Sequence, residues 1–412
     1  MAERDRRVAV TGMGIVSAIG CDPESVWQSL MAKRTGIARI ASFDASDNKV
    51  DLGAEIDDEE LQPRLAARKI RKKDRMVALG LEATGQALEQ AGLVGEPPYD
   101  PQEIATLMGS GVGSANSLDE GYQRFAARGA RGMRPTSVPT YMANSLSASI
   151  SLHYRLTGTN QVIVTACTSA TNAIGQAFRQ IRDGYVGAAV CGGSESCFDP
   201  FYYGVWNNLG VFSKIEDPEK AYRPFDSARA GCLLGEGAGV LVLEEWKRAA
   251  ERGAEILAEI VGYGESSDAS HITSPDVGGQ ARAIRAALED ADVQPEQIGY
   301  VNAHGTATEA NDVCESQSIR EVFGDHADAV RVGANKSYFG HLLGASGAVE
   351  TIVTALALRR GTLPPNLNLD DPDPECRVGL VGGEPEACET VYAMKNSFGF
   401  GGGNGVLVVR RA

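Results

Sequence analysis

The sequence lacks the features that mark nucleic-acid-coating and membrane-spanning proteins. Its 412 residues carry 39 basic and 54 acidic side chains, a formal net charge of −15, whereas coating a duplex requires a surplus of Lys and Arg. No run of about 18 uncharged apolar residues occurs, and residues 1–7 lack the apolar stretch of a signal peptide. These absences predict a cytoplasmic protein that binds neither nucleic acid nor membrane.

Paired cysteines are also lacking. The eight cysteines form no Cys-x-x-Cys pair and have no histidine at ligand spacing, so we expect neither a metal site nor a disulfide framework. A composition of 43% apolar and 23% charged residues excludes a mainly disordered chain. Glycine is abundant, with 48 residues, and clusters in segments such as 399–405, which indicates turns or close backbone approaches.

Short β-branched runs alternate with helical stretches, the pattern of an α/β fold. The predicted strands include residues 8–11, 104–108, 162–165, 187–190, 298–302 and 331–334, and the predicted helices residues 23–33, 75–91, 168–182 and 344–359. The strand-turn-helix units 162–182 and 332–359 resemble one building block used twice, each followed by a glycine-rich strand segment, 188–194 and 394–405. We therefore infer an internal duplication with its seam near residue 250.

The duplication predicts an N-terminal half, residues 1–253, and a C-terminal half, residues 254–412. If a pseudo-twofold axis relates the halves, the turns that enter the two central helices meet in the middle. Residues of those turns then face one shared cleft.

Cys167 lies in the first of these turns, between a strand end and a helix start, with only small side chains beside it. The aligned N–H groups of a helix N-terminus stabilise a thiolate and lower the thiol pKa, and the thiolate is the nucleophile. Most cysteines are packed core thiols. The position and the neighbours favour a nucleophile here.

Two of the five histidines belong to the loop ends that the duplication would bring to Cys167. His304 follows a predicted strand, and His341 precedes the second small-residue helix. Either one alone is equally well explained as a hydrogen-bonded core histidine, which is how we interpret His153 and His326. Together with Cys167, His304 and His341 predict one active site.

At these positions the sequence resembles the elongating β-ketoacyl-[acyl-carrier-protein] synthases of the synthase II kind, from fatty-acid or type II polyketide systems. The resemblance lies in Thr165-Ala-Cys167-Thr-Ser, Asn302-Ala-His304-Gly-Thr-Ala-Thr308, Lys336-Ser-Tyr-Phe-Gly-His341-Leu-Leu-Gly-Ala-Ser-Gly, Asn396-Ser-Phe-Gly-Phe400-Gly-Gly, and Arg223-Pro-Phe-Asp226 followed by Leu234-Gly-Glu-Gly-Ala-Gly239. These segments occur in order through nearly the whole chain. The resemblance implies a thiolase-like α/β fold, a five-layered αβαβα duplication.

The resemblance also implies an acyltransferase that performs a decarboxylative Claisen condensation. Cys167 would take an acyl chain from a carrier protein as a thioester, and the backbone N–H groups of Cys167 and Phe400 would form the oxyanion hole. His304 and His341 would stabilise the enolate formed when malonyl-carrier protein loses carbon dioxide. Attack of this carbanion on the acyl-cysteine gives a 3-oxoacyl-carrier product two carbons longer.

The resemblance implies further roles. Lys336 would lie behind the histidines and pair with a glutamate, for which Glu315 is the expected partner, and Phe400 would gate the site. Substrate contacts are assigned to Thr306, Thr308, Val112, Trp206 and Phe398. Of these, Thr306 and Thr308 would bind the amides of the phosphopantetheine arm. We expect no bound cofactor, because the carrier protein supplies that arm.

An acidic enzyme with an acidic carrier protein needs a local positive patch. We expect the carrier protein to dock on the basic stretch formed by Arg68, Lys69, Arg71, Lys72 and Lys73. A second basic cluster consists of Arg124, Arg128, Arg131 and Arg134. Charge runs are more often merely solvated surface.

The family builds its acyl tunnel across a subunit interface, so we expect a homodimer or a heterodimer with a chain-length-factor subunit.

The chain departs from the fatty-acid enzymes in several segments. Glu309-Ala-Asn-Asp312 is closer to type II polyketide ketosynthases, Cys232 stands where phenylalanine is common, and Gly403 where threonine is common. The aromatic stretch 198–206 could suit a rigid unsaturated chain, or could equally be core or dimer interface. The pathway, the chain length and the degree of unsaturation stay open.

Three related classes fit the sequence less well. A degradative thiolase would carry a second cysteine near Phe400, where this chain has none, and a chain-initiating synthase would have asparagine in place of His341. A non-catalytic chain-length factor normally lacks the nucleophile. Cys167 argues against that alternative.

Overall fold

Eleven strands form one continuous mixed sheet in the computed structural model, which describes residues 6–71, 73–95 and 98–412. Four further strands lie outside this sheet, where β2 pairs with β3 and β11 pairs with β13. In chain order the strands of the described residues are β1 (Val8–Ser17), β2 (Ala38–Arg39), β3 (Leu52–Gly53), β4 (Ile104–Gly109), β5 (Asn160–Ile163), β6 (Ala188–Glu195), β7 (Gly237–Glu245), β8 (Ala258–Ser267), β9 (Ile298–Asn302), β10 (Arg331–Gly333), β11 (Thr362–Leu363), β12 (Gly379–Leu380), β13 (Glu386–Ala387), β14 (Tyr392–Gly399) and β15 (Gly403–Arg411).

The helices fall between these strands. They are α1 (Pro23–Met31), α2 (Asp58–Ala67), α3 (Arg75–Gln90), α4 (Ala115–Arg128), α5 (Ser137–Tyr141), α6 (Ser145–Tyr154), α7 (Ser169–Arg182), α8 (Pro200–Leu209), α9 (Trp246–Glu251), α10 (Val277–Ala291), α11 (Glu309–Phe323), α12 (Lys336–Phe339) and α13 (Ser346–Arg360). Short 3-10 turns cover Pro101–Glu103, Gly129–Gly132, Ala166–Thr168, Pro295–Gln297, Gly324–Asp328 and Leu343–Ala345. Within the described residues, no helix combines the length and the apolar character needed to cross a bilayer.

The strand order shows the duplication directly. Outward from the junction of β1 with β8, one side runs β1, β7, β6, β4, β5 and the other runs β8, β15, β14, β9, β10, with β12 at the far edge. When only β1 and β4 to β7 in one half, and β8 to β10, β14 and β15 in the other, are numbered along the chain, both sides have the order first, fifth, fourth, second, third. The expected duplicated, thiolase-like α/β fold is therefore confirmed. The boundary between residues 253 and 254 stays a prediction.

Five layers result from this arrangement. The central helices α7 and α13 pack against each other and lie between the two halves of the sheet, while α3 and α6 cover one outer face and α10 and α11 the other. The largest apolar cluster surrounds the central helices and includes Ile174 of α7 and Val349 of α13. The turns that begin these two helices therefore meet in the interior, where the sequence predicts the site.

Two predicted elements have different bounds in the structure. The first strand continues past Gly12 because that glycine is a close approach and not a turn: a Cβ there would lie 2.0 Å from the carbonyl oxygen of Ala87 in α3. The segment 394–405 is not one strand but the antiparallel pair β14 and β15. Gly401 and Gly402, with φ of 83° and 75°, form the turn between them.

Candidate active site

The turns before the two central helices have the same backbone construction. In each, a non-glycine residue with positive φ, Ala166 at 53° and Leu343 at 45°, begins a short 3-10 turn that leads into the helix at Ser169 or Ser346. Such residues in the left-handed region are strained and are held in place by their surroundings. This backbone conformation places the following residue, which is Cys167 in the first turn, in the interior.

Cys167, His304 and His341 come together as expected. The Sγ atom of Cys167 lies 3.2 Å from Nε2 of His341, and the two imidazole rings are 5.4 Å apart at an interplanar angle of 79°. All three residues are at most 7% exposed. The sulfur and the two imidazoles therefore face one water-poor pocket.

The pKa of the thiol differs from the sequence-based expectation. Burial raises the pKa of Cys167 to about 11, although Lys336 and the backbone N–H groups of Phe400 and Cys167 act in the opposite direction. The expected lowering of the thiol pKa by the helix N-terminus is therefore wrong, because desolvation of the thiolate outweighs it. The resting residue is a thiol.

Both histidines are neutral at physiological pH. Burial, followed by the nearby Lys336, lowers the pKa of His304 and of His341 well below the ordinary value. A neutral His341 can accept a proton at Nε2, the atom nearest to the thiol. Its Nδ1 lies 3.0 Å from the hydroxyl oxygen of Ser346, which can donate or accept and so supports either tautomer.

Lys336 determines the tautomer of His304. The ammonium group donates to the carbonyl oxygen of His304 and lies 3.4 Å from Nδ1 of the same residue. Since an ammonium group is only a donor, Nδ1 is the acceptor and the ring hydrogen is on Nε2. His304 therefore presents an N–H donor to the pocket.

The partner of Lys336 is Glu350, and the predicted pairing with Glu315 is wrong. The Nζ atom of Lys336 lies 2.6 Å from Oε1 of Glu350. The carboxylate of Glu315 is occupied elsewhere, since it accepts the backbone N–H groups of His304 and Gly305 at 2.8 and 2.9 Å. Glu315 thus holds the His304 loop, and Glu350 holds the lysine.

Sequence reasoning missed three buried charged residues of this region. Glu350 lies within the small-residue helix α13, and Lys395 directly precedes the motif that begins at Asn396. Glu195, at the end of β6, accepts backbone N–H groups from Gly111 at 2.5 Å and Gly344 at 3.1 Å, and burial raises its pKa to about 7. For Glu350 and Lys395 the sequence signal was an isolated charge in a largely apolar stretch, and Glu195 stands alone among small residues.

A cavity of about 300 Å³ opens onto Cys167 and the histidines. Of the predicted substrate contacts, Thr306, Thr308, Trp206 and Phe398 line it, as does Phe400. Val112 does not belong to this lining; it is half-buried, and its N–H group donates to Glu195 over 3.3 Å. Cys232 also lines the cavity.

The two threonines are adjacent. Their hydroxyl oxygens are 2.8 Å apart, and the Thr308 hydroxyl also accepts the N–H group of Asn311 over 3.4 Å as the N-cap of α11. Thr308 therefore has a structural role whatever it binds. The Thr306 hydroxyl makes no side-chain hydrogen bond other than the one to Thr308 among the described residues.

The thiol and the two imidazoles could also ligate a metal ion. Their donor atoms all lie within 4.8 Å of one another, a compact set of the kind that soft or borderline divalent cations prefer. The expectation that the protein holds no metal therefore stays a prediction.

The basic residues assigned to docking are not equivalent. The guanidinium group of Arg68 is bound by Glu82 at 2.7 Å and by Glu89 at 2.6 and 2.8 Å, whereas Lys69, Arg71 and Lys73 are exposed. Lys72 lies outside the described residues. The two basic stretches meet, because Lys73, Arg124 and Arg134 line one groove of about 590 Å³.

Comparison with known proteins gives one consistent relationship. The family described as "Beta-ketoacyl synthase, N-terminal domain" matches residues 5–249, and "Beta-ketoacyl synthase, C-terminal domain" matches residues 257–370. The 3-oxoacyl-[acyl-carrier-protein] synthase 2 of Synechocystis sp. is 40% identical over 409 residues, 98% of this chain and 98% of the relative.

Two solved structures are similar over the whole chain. A β-ketoacyl synthase from Burkholderia phymatum has a TM-score of 0.92 and 34% identity, covering 99% of this chain and 100% of its own. The ishigamide ketosynthase/chain length factor has a TM-score of 0.91 and 33% identity, covering 99% of each chain.

Proposed function

The chain belongs to the β-ketoacyl synthase family, and we propose that Cys167, His304 and His341 carry out the condensation for which the family is named. The protein is an acyltransferase, a 3-oxoacyl-[acyl-carrier-protein] synthase of fatty-acid or type II polyketide synthesis. The observation that carries the assignment of residues is the 3.2 Å approach of the Cys167 sulfur to a neutral imidazole of His341 in a buried pocket.

Acyl loading starts from the thiol. His341 accepts the thiol proton at Nε2, and the Cys167 sulfur attacks the thioester carbonyl of the acyl-carrier protein. The backbone N–H groups of Cys167 and Phe400, both directed at the sulfur, stabilise the oxyanion. The carrier thiolate leaves and takes the proton back from His341, so the step exchanges one thioester for another.

Condensation uses the histidines as donors. The carbonyl oxygen of the malonyl thioester accepts from Nε2–H of His304, and from His341 in the tautomer in which Ser346 donates to Nδ1. Loss of carbon dioxide leaves an enolate, which attacks the acyl-Cys167 carbonyl. The carbon–sulfur bond to Cys167 breaks, the product departs as a 3-oxoacyl thioester, and the cysteine thiolate takes up one proton.

Phe400 is proposed as the gate. Its ring is 37% exposed, lines the cavity and stacks on Trp206, while its own N–H group serves the oxyanion hole. The turn at Gly401 and Gly402 gives the backbone beside it the freedom to move. Displacement of the ring would widen the path from the cavity to Cys167.

The carrier protein is the proposed source of both substrates, and its phosphopantetheine arm the only cofactor. The hydroxyl of Thr306, with Thr308 beside it, supplies donors and acceptors for the arm's amides. For docking we propose Lys73 and Arg134 in this groove together with the exposed Lys69 and Arg71, while Arg124 in the same groove is paired with Glu120 at 2.6 Å. Arg68 drops out of the proposal because Glu82 and Glu89 occupy its guanidinium group.

A second chain of the same fold is the proposed partner. Strand β5 ends the sheet, and apolar side chains near it are exposed, among them Leu152 at 81% and Val164 at 54%. An unpaired edge next to exposed apolar groups favours association. The partner is an identical chain or a chain-length factor, and sedimentation of the purified protein alone distinguishes the two: a monomer would exclude the homodimer.

The deciding experiment for the proposed function is intact-protein mass spectrometry after incubation with acyl-carrier protein. We expect an acyl adduct that maps to Cys167 and is absent from Cys167→Ala. Addition of malonyl-carrier protein should discharge the adduct as 3-oxoacyl product. A protein that never acquires the adduct would instead be a non-catalytic chain-length-factor-like subunit, the alternative that Cys167 argues against.

A further inference from the structure

Lys395 is a second buried lysine beside the active site. It lies in β14, opposite Asn302 of β9 and Leu407 of β15, and its side chain is 0% exposed. Removing an ammonium group from water is costly unless a counter-charge meets it. A lysine in the middle of a buried strand therefore requires a partner, and its presence needs a reason other than packing.

The ammonium group of Lys395 donates to the carbonyl oxygen of Asn396 and to the Ser397 hydroxyl at 3.3 Å, and its counter-charge is the carboxylate that also binds Lys336. The Nζ atom of Lys395 lies 3.0 Å from Oε2 of Glu350, while Nζ of Lys336 lies 2.6 Å from Oε1. Among the described residues Oε2 has no hydrogen-bond partner, so the ion pair with Lys395 is what balances this oxygen. Glu350 is thus a bridge between two ammonium groups.

The bridge continues to His304. Lys336 donates to the carbonyl oxygen of His304 and lies 3.4 Å from its Nδ1. If Oε2 of Glu350 lost its partner, the carboxylate would turn both oxygens toward Lys336 and draw the ammonium group away from His304. The contacts therefore form one line from Lys395 through Glu350 and Lys336 to the imidazole.

We propose that Lys395 is a positioning residue for the condensation: it holds Glu350 and thereby keeps the ammonium group of Lys336 against His304. This inference rests on the proposed function, because it acts through the assigned role of His304 as an N–H donor to the thioester oxygen. Lys395 itself does not line the cavity and touches no reacting atom.

The charges around Lys395 support the same role. The charged groups that act on it are Glu350, Lys336 and Glu315, the last of which accepts from Asn396 at 3.2 Å. Burial lowers the pKa of Lys395 to about 8, against the opposing effect of Glu350, so the side chain is largely cationic at neutral pH. That cation helps to lower the pKa of both His304 and His341.

The test compares wild type, Lys395→Met and Lys395→Gln in acyl loading and in carbon dioxide release between pH 6 and 9. For both variants we expect condensation kcat to fall between about tenfold and about a hundredfold, the effect of a small displacement of a reacting group. The rate of acyl loading should stay within about threefold of wild type, because that step uses Cys167 and His341 and not His304.

The pH profile provides a readout that a structural role would not change. Without Lys395 the histidine pKa values rise, so the acid limb of kcat should move to higher pH. The fall in kcat that we expect for wild type above about pH 8, where Lys395 loses its proton, should be absent from both variants. Met394→Leu is the matched control, because it changes a buried neighbour in the same strand without changing charge. Its pH profile should equal that of wild type.

Three results would overturn the inference. One is an unchanged kcat and pH profile in both variants; the second is an equal loss of loading and condensation with wild-type pH limbs. The third is failure of both variants to fold while Met394→Leu folds, which would assign Lys395 to strand stability. If wild type itself neither loads acyl chains nor releases carbon dioxide, the proposed function fails instead, which is a distinguishable outcome.

Discussion

Trp206 and Phe400 lie face to face, with ring centroids 5.9 Å apart and ring planes inclined by 11°. The stack joins α8 to the turn between β14 and β15, and both rings line the cavity above Cys167. It is therefore the contact that must break if the Phe400 ring is to swing away. Such a stack is worth about 1 kcal/mol beyond its buried area.

The first prediction concerns this stack. Trp206→Ala should release the gate, and about 1 kcal/mol corresponds to a roughly fivefold shift toward the open state. Malonyl-carrier protein should then lose carbon dioxide without an acyl chain on Cys167 about fivefold faster than in wild type. Trp246→Phe, which alters a tryptophan that packs on Arg7 instead, is the control and should leave this rate unchanged.

The second prediction concerns the thiol. Because burial raises the pKa of Cys167 to about 11, alkylation by iodoacetamide should still accelerate through pH 9, by about tenfold per pH unit. Peptide mass spectrometry measures the rate at this residue alone. A rate that levels off below pH 8 would mean that the helix N-terminus dominates over burial, as the sequence suggested.

The duplication and the three central residues could be predicted from the sequence because both depend on local pattern. Strand, turn and small-residue helix recur in the same order, and Cys167 and His341 both stand directly before such a helix. A topology that repeats the pattern must bring the two turns together. No knowledge of side-chain packing is needed for that step.

The charge network could not be predicted in the same way. Glu315 and Glu350 are both buried acids in helices that follow the histidine loops, and only the packing of α11 and α13 decides which one reaches Lys336. The same holds for the thiol pKa, which depends on how completely water is excluded. Sequence shows the helix N-terminus but not the degree of desolvation that opposes it.

The third prediction separates the two glutamates. Glu350→Gln leaves two buried ammonium groups without a counter-charge and should lower the free energy of unfolding by about 3–5 kcal/mol. Glu315→Gln keeps an oxygen for one of the two backbone N–H groups and should cost about 1–3 kcal/mol. Denaturant unfolding of both variants measures the difference, and the reverse order would contradict the assigned partners.

The fourth prediction concerns the carrier protein. Lys73→Glu should raise the KM for malonyl-carrier protein by about tenfold and leave kcat near wild type, because it reverses a charge in the proposed docking groove, whose lining contains none of the catalytic residues. The effect should shrink at high salt. Arg68→Ala should instead reduce thermal stability with little change in KM, since Glu82 and Glu89 lose their partner.

The fifth prediction divides the work of the two histidines. His304→Ala removes the Nε2–H donor that Lys336 enforces, so malonyl decarboxylation should fall by at least about a hundredfold while acyl loading continues. His341→Ala should impair both steps, because this residue is the proton acceptor 3.2 Å from the sulfur as well as a donor in condensation. Single-turnover loading and carbon dioxide release measured on the same preparations distinguish the two patterns. Unchanged carbon dioxide release in both variants would refute the roles proposed for the imidazoles.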